Sequence, residues 1–145
     1  MAKTWNGANA DWETPADWGG SVPGSADTAD INSGTVTIGA SDPAITVDGI
    51  AIGGTGTLAV ADPSIPLTVT GNLSNSAILD VDTTGTGGSS VSVGGTLSNT
   101  ATGSLGVFIG NAGITQATSA TVAGLTNSGP IPLMAVRPPQ RRLCR

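Results

Sequence analysis

Two stretches of this sequence can be laid over each other residue by residue. LTVTGNLSNS (67–76) aligns with VSVGGTLSNT (91–100), so that Leu73 meets Leu97 and Asn75 meets Asn99 at an offset of 24. A third copy, VAGLTNSG (122–129), puts Leu125 and Asn127 in the same roles at an offset of 28. A weaker one, ITVDGIAI (45–52), precedes the first by 22. A period of about 20–30 residues built only from short strand-like runs marks a solenoid, in which each repeat hides its apolar face against the next. Leucine-rich repeats share this length but need several leucines per repeat, which are absent here.

The texture between the copies agrees. From about residue 34 the chain runs as short alternating segments: TVTI (35–38), TLAV (57–60), AILDV (77–81) and ATVAGL (120–125) among them. Gly, Asn, Asp and Ser separate them. Alternation with a period of two, bounded by turn residues, is the strand pattern, and no segment carries a helical period. A repeat of about 24 residues at about 3.3 Å each has a contour of roughly 80 Å, enough for one coil of three short strands and three turns. Successive coils would stack at about 4.8 Å through parallel ladders. The expected fold is therefore all-β, a parallel β-helix of about four coils between residues 34 and 128. Equivalent Asn75, Asn99 and Asn127 are expected to form an amide ladder at one turn. An antiparallel sandwich of evenly spaced hairpins is the competing fold. The shared Leu-x-Asn register favours the solenoid, because hairpins require a spacing and not a register.

Three regions follow: a cap segment at 1–33, β-helix repeats at 34–129, and a tail at 130–145. All three tryptophans, Trp5, Trp12 and Trp18, lie in the first region, in a chain with no tyrosine and one phenylalanine. Exposed in a row, they would make a platform for sugar rings. Packed inward, they would close the first coil, whose apolar cross-section and unpaired edge must otherwise be covered. Their position just before the first coil favours the cap, with packing expected near Val36 and Ile38.

Charge is sparse and uneven. Only 10% of residues are charged, and residues 1–136 hold all ten acids and one base, Lys3, giving −9. The remaining four basic residues are arginines within 137–145. An acidic body argues against a nucleic-acid backbone as partner. No run of apolar residues is long enough for a transmembrane helix, and MAKTWNGANADWE lacks the apolar core of a secretory signal. The end of the chain breaks the pattern. After LTNSG (125–129) comes PIPLMAVRPPQRRLCR, with four of the nine prolines and four of the five Lys and Arg. This reads as a basic tail, disordered or the out-of-frame terminus of a longer gene.

Catalytic chemistry has little to draw on. There is no histidine, which removes the commonest general base, the Ser-His-Asp arrangement and most metal sites. Cys144 is the only cysteine and excludes an internal disulfide. Asp80 and Asp82, in LDVDT, are spaced to share one face of a strand, as a carboxylate pair for glycoside hydrolysis would. Their apolar neighbours Leu79 and Val81 turn that face outward, into solvent. Asp27 and Asp30, or Asp80 and Asp82, are the oxygen ligands a hard cation would use. The G-G-x-G-x-D repeat of calcium β-rolls is missing, so these aspartates read as turn-forming or solvated. No cofactor is expected.

The lead-in W-N-G…D-W…D-W…V-P-G…D-T-A-D-I-N-S-G-T-V-T-I, followed by repeated L-[ST]-N-[ST], resembles repeat modules of large bacterial surface and secreted proteins. These are the autotransporter-passenger-like and β-strand repeat proteins. The resemblance covers residues 4–129. It implies a right-handed parallel β-helix, export to the cell surface or medium, and a structural or adhesive role without shared catalytic residues. Expected partners are a surface or matrix ligand, and other copies meeting at the edge of the last coil. Nucleic acid and membrane insertion are not expected. Two alternatives remain: a carbohydrate-binding module using the tryptophans, and a β-helix polysaccharide lyase or hydrolase.

Overall fold

The computed structural model describes residues 1–108 and 116–134. Every ladder among them is parallel. That excludes the antiparallel sandwich, and the chain is a β-solenoid. It opens with β1 (Ala2–Thr4) and β2 (Asn9–Asp11), then a short 3-10 turn at Pro15–Trp18. The first full coil contains β3 (Thr28–Ile31), β4 (Thr35–Ile38) and β5 (Ile45–Val47). The second contains β6 (Gly49–Ile52), β7 (Thr57–Val60) and β8 (Leu67–Val69). The third opens with β9 (Leu73–Asn75) and β10 (Ile78–Val81). It closes with the first half of β11 (Ser90–Asn99), which bends round a corner to begin the fourth, continued by β12 (Ser104–Phe108). A second long strand, β13 (Ser119–Asn127), leads in the same way into a fifth turn that reaches β14 (Leu133–Met134).

About five turns result where four were expected, because strands extend beyond both expected boundaries. β1 and β2 pair in register with β3 and β4, and β14 pairs with β12. The stretch 1–33, expected to be a cap, thus donates three strands to the stack, β1, β2 and β3. Residues 133 and 134, placed in the tail, belong to the ladder. Residues 135–145, with the four arginines and Cys144, lie outside the described residues.

The interior consists of vertical rows set by the register. Ala29, Ile50, Leu73, Leu97 and Leu125 form one row; Val36, Leu58, Leu79 and Leu105 form another. A third joins Ile45, Leu67 and Val91. Alternation puts each of these inside and its neighbours outside, and the row members through the third coil are buried almost completely. Coil length varies without disturbing the rows. Leu73 pairs with Leu97, 24 residues on, and Leu97 pairs with Leu125, 28 on. The additional residues are absorbed between strands. In the weakest repeat, Ile45 pairs with Leu67 at an offset of 22, but Ile50 pairs with Leu73 at 23. One residue is added at the corner Thr70-Gly71-Asn72, a shift that a single alignment offset misses.

Candidate functional site

The tryptophans occupy positions dictated by that register. The Trp5 amide donates to Asp30 O at 2.9 Å and the Trp12 amide to Thr37 O at 2.8 Å. Each ring therefore stands one step above an interior row: Trp5 over Ile31, Trp12 over Ile38. Trp18, carried on the 3-10 turn, lies between them. Its ring centroid is 4.8 Å from that of Trp5 at an interplanar angle of 64°, and 5.0 Å from that of Trp12 at 54°. These are the tilted and edge-to-face arrangements that the ring quadrupole favours. The indole N–H groups are used as well: Trp18 Nε1 donates to Trp12 O at 2.8 Å and Trp5 Nε1 to Ala8 O at 2.9 Å. All three rings are at most 3% exposed and share one apolar cluster with Val36 and Ile38. They present no ring face on which a sugar could stack.

Two residues that the sequence did not single out complete this end. Lys3 heads the Ala29–Ile50 row; its half-buried stem covers the row, while its ammonium bonds the hydroxyl of Ser21. Asp42, 4% exposed, accepts from the Gly39 amide at 2.7 Å and the Glu13 amide at 3.4 Å. It pins the cap to a turn of the first coil. The only sequence signal for it is the G-A-S-D-P turn composition of residues 39–43.

The three asparagines lie in one row with Ile31 and Ile52. Asn75 Nδ2 donates to Asn99 Oδ1 at 2.9 Å, and Asn99 Nδ2 donates to Asn127 Oδ1 at 2.8 Å. Asn75 also bonds Ser104 O at 2.9 Å, tying the ladder to the start of β12. Asn75 and Asn99 are buried, whereas Asn127 is exposed. A buried amide must be satisfied, and stacking does this because each side chain carries both a donor and an acceptor.

The aspartates separate. Asp27 accepts from the Gly24 amide at 3.1 Å and faces the N-terminal ammonium at 3.2 Å. These contacts, the amide first, hold its carboxyl below the usual range. Asp30 sits apart on β3, between Thr4 and Ala51. The expectation that Asp80 and Asp82 share an outward face is overturned. The strand ends at Val81, and Asp82 takes a left-handed backbone, φ 65°, that swings its side chain inward. It is 1% exposed and accepts from Gly87 N at 2.8 Å, Thr118 Oγ1 at 2.7 Å and Thr86 N at 3.2 Å. That carboxylate organises the turn 82–89 and has no lone pairs turned to a substrate. Asp80 remains half-buried on β10, and desolvation pushes its carboxyl up. Among the described residues, no three His, Cys, Asp or Glu side chains come together as a metal would require. Nor is any helix there long and apolar enough to cross a membrane.

The outer surface carries its own register. Thr46, Thr68, Ser92 and Thr121 are successive partners along one face, a row of hydroxyls without an ionised group. A shallow polar groove of about 420 Å³ follows the neighbouring corner, lined by Thr28, Asp48, Asn72 and Ser74 and opened by Gly49 and Gly71. No protein family, curated protein or solved structure matches this chain, so its reading rests on the ladder, the cap and the outer rows.

Proposed function

We propose that this chain is a non-catalytic structural or adhesive segment of a secreted or cell-surface bacterial repeat protein. The observation that carries the reading is the in-register outer row Thr46–Thr68–Ser92–Thr121 on a stack whose apolar rows are buried through the third coil and whose described strands each pair along the axis. Such a stack is stiff, since each coil is held by its neighbours, and it repeats the same polar groups at one spacing of about 4.8 Å. A periodic hydroxyl surface suits passive display, or adhesion to a surface or matrix ligand through many weak contacts. The resemblance of the Trp-containing lead-in and the L-[ST]-N-[ST] repeats to surface proteins supports the location. The carbohydrate-binding alternative loses its platform, because the three rings are buried. Antibodies against the folded chain, applied to intact and to permeabilised source cells, test the reading. Labelling of intact cells, with adhesion of protein-coated beads to matrix or glycan surfaces, is the expected result. Labelling only after permeabilisation overturns it.

A further inference from the structure

We propose that the groove lined by Thr28, Asp48, Asn72 and Ser74 binds one sugar unit of a neutral glycan, a reading that rests on the adhesive role and gives it a site. The groove is a notch in the outer face of the stack. On that face Thr28 pairs with Gly49, and Ala51 pairs with Ser74. The second coil thus contributes only Gly49 and Ala51 there, between taller side chains of the coils on either side. Gly49 has no positive φ that would demand a glycine. What its missing side chain supplies is room: a Cβ there would stand 3.3 Å from Thr28 Oγ1 and 3.4 Å from Asn72 O. Gly71 lets the corner descend onto Asp48 O, where a Cβ would lie 2.6 Å away. The resulting volume of about 420 Å³ lies within the roughly 300–1,000 Å³ of small-molecule sites.

The polar groups around the notch are uncommitted. Hydroxyls at other corners donate to the coil beneath: Ser76 to Ile52 O at 3.1 Å, Thr84 to Ala61 O at 3.0 Å and Thr102 to Ser76 O at 3.0 Å. At the notch, the side chains of Thr28, Asp48 and Ser74 form no hydrogen bond to any described residue. Asn72 uses only its Oδ1, which accepts from Thr96 N at 2.8 Å, and its Nδ2 remains available. The set comprises a carboxylate that accepts, an amide that donates and two hydroxyls that do both. A sugar answers it group for group, because each of its hydroxyls also carries a donor and an acceptor. Other ligand classes fit worse. Among the described residues Asp48 is the one ionised group lining the notch, and it repels an anion. A hard cation would find one carboxylate where it takes about 6–8 oxygen ligands. An extended peptide would need a free strand edge, and β3, β6 and β9 are each paired on both sides.

Amide shifts of the nitrogen-15-labelled 145-residue chain, titrated with maltose, cellobiose, mannobiose and N,N′-diacetylchitobiose, test this. At least one of these sugars should saturably move the amides of 48–50 and 71–74. Asp48→Ala and Gly49→Ala should each raise that Kd by at least about tenfold, the first by removing a charged acceptor and the second by filling the floor. Asp48 is exposed and its carboxylate bonds no described residue, so its variant keeps the fold and decides the matter should Gly49→Ala misfold. Asp62→Asn, which removes the same charge from another corner, should leave the Kd unchanged. No saturable shift at these amides with any of the four sugars overturns the proposal, as does a Kd indifferent to Asp48→Ala. Calcium chloride moving the same amides also overturns it, since the notch would then be a cation site. Beads coated with Asp48→Ala protein that still adhere fully to glycan surfaces overturn the notch while leaving the adhesive role standing. Sugar binding that Asp48→Ala abolishes supports the notch even where intact cells are not labelled, so the two readings fail separately.

Discussion

The two ends of the stack solve the same problem in opposite ways. At the N-terminal end the interior rows finish in Trp5 and Trp12, bridged by Trp18, with the stem of Lys3 over the neighbouring row. Among the described residues, the row under Lys3 finishes at the other end in Leu125 and the row under Trp5 in Asn127, both exposed. One end replaces the missing next coil with large flat side chains; the other leaves the register intact for something to continue it.

The sharpest way to break this comparison is to remove the plug. Trp12→Ala should cost about 3–5 kcal/mol, since it deletes a fully buried indole and leaves Trp18 without its neighbour. Leu125→Ala should cost only about 0.5 kcal/mol, because half of that side chain is already in water. Denaturant unfolding of both variants measures the contrast, and equal losses would refute it. Next in size is the seam between cap and first coil. Gly34 has φ 70°, and a Cβ there would lie 2.3 Å from Ala8 O, so Gly34→Ala should cost more than about 3 kcal/mol. Gly19 has a similar φ, 74°, with nothing within 4 Å, so Gly19→Ala should cost only about 1–2 kcal/mol. Both are read as shifts in Tm. The amide ladder should show the same gradient on a smaller scale. Asn99→Ala breaks bonds on both sides of a buried rung and should cost about 2 kcal/mol, while Asn127→Ala at the exposed rung should cost about 0.5 kcal/mol.

The smallest effect is electrostatic. Burial raises the Asp80 carboxyl above its ordinary value of 3.8. The folded state therefore holds this proton more tightly than the unfolded chain does, and folding is penalised once pH rises from the ordinary value through the raised one. Asp80→Asn should increase Tm slightly at neutral pH, and the gain should vanish below the ordinary carboxylate range. Asp27 is shifted the opposite way, so its contribution is present above the ordinary value and lost as pH falls through the lowered one. A pH series of melting curves for Asp80→Asn and Asp27→Asn should move in opposite directions.

Much of this was legible because a solenoid repeats its solution. The L-x-N register of 73–75, 97–99 and 125–127 marks residues that pair in the ladder. The concentration of tryptophan before the first repeat marks the position of the plug. What stayed hidden is local geometry without a period. β1, β2 and β3 lie among Pro and Gly breakers, and they are held by pairing with the next coil more than by their own propensity. Asp82 looked like the second member of an outward pair, since i and i+2 share a face in any strand that continues. The strand stops one residue earlier, and the inward turn is fixed by donors at Thr86, Gly87 and Thr118, the last of them 36 residues away.

By itself, the sequence determined the repeat: alternation placed apolar side chains inside, and the period set the contour of a coil. The tertiary structure decided how many turns form, which aspartate enters the core, and which end is closed. Those outcomes depend on contacts between residues a whole coil apart, where backbone pairing across the stack overrides what either segment prefers alone.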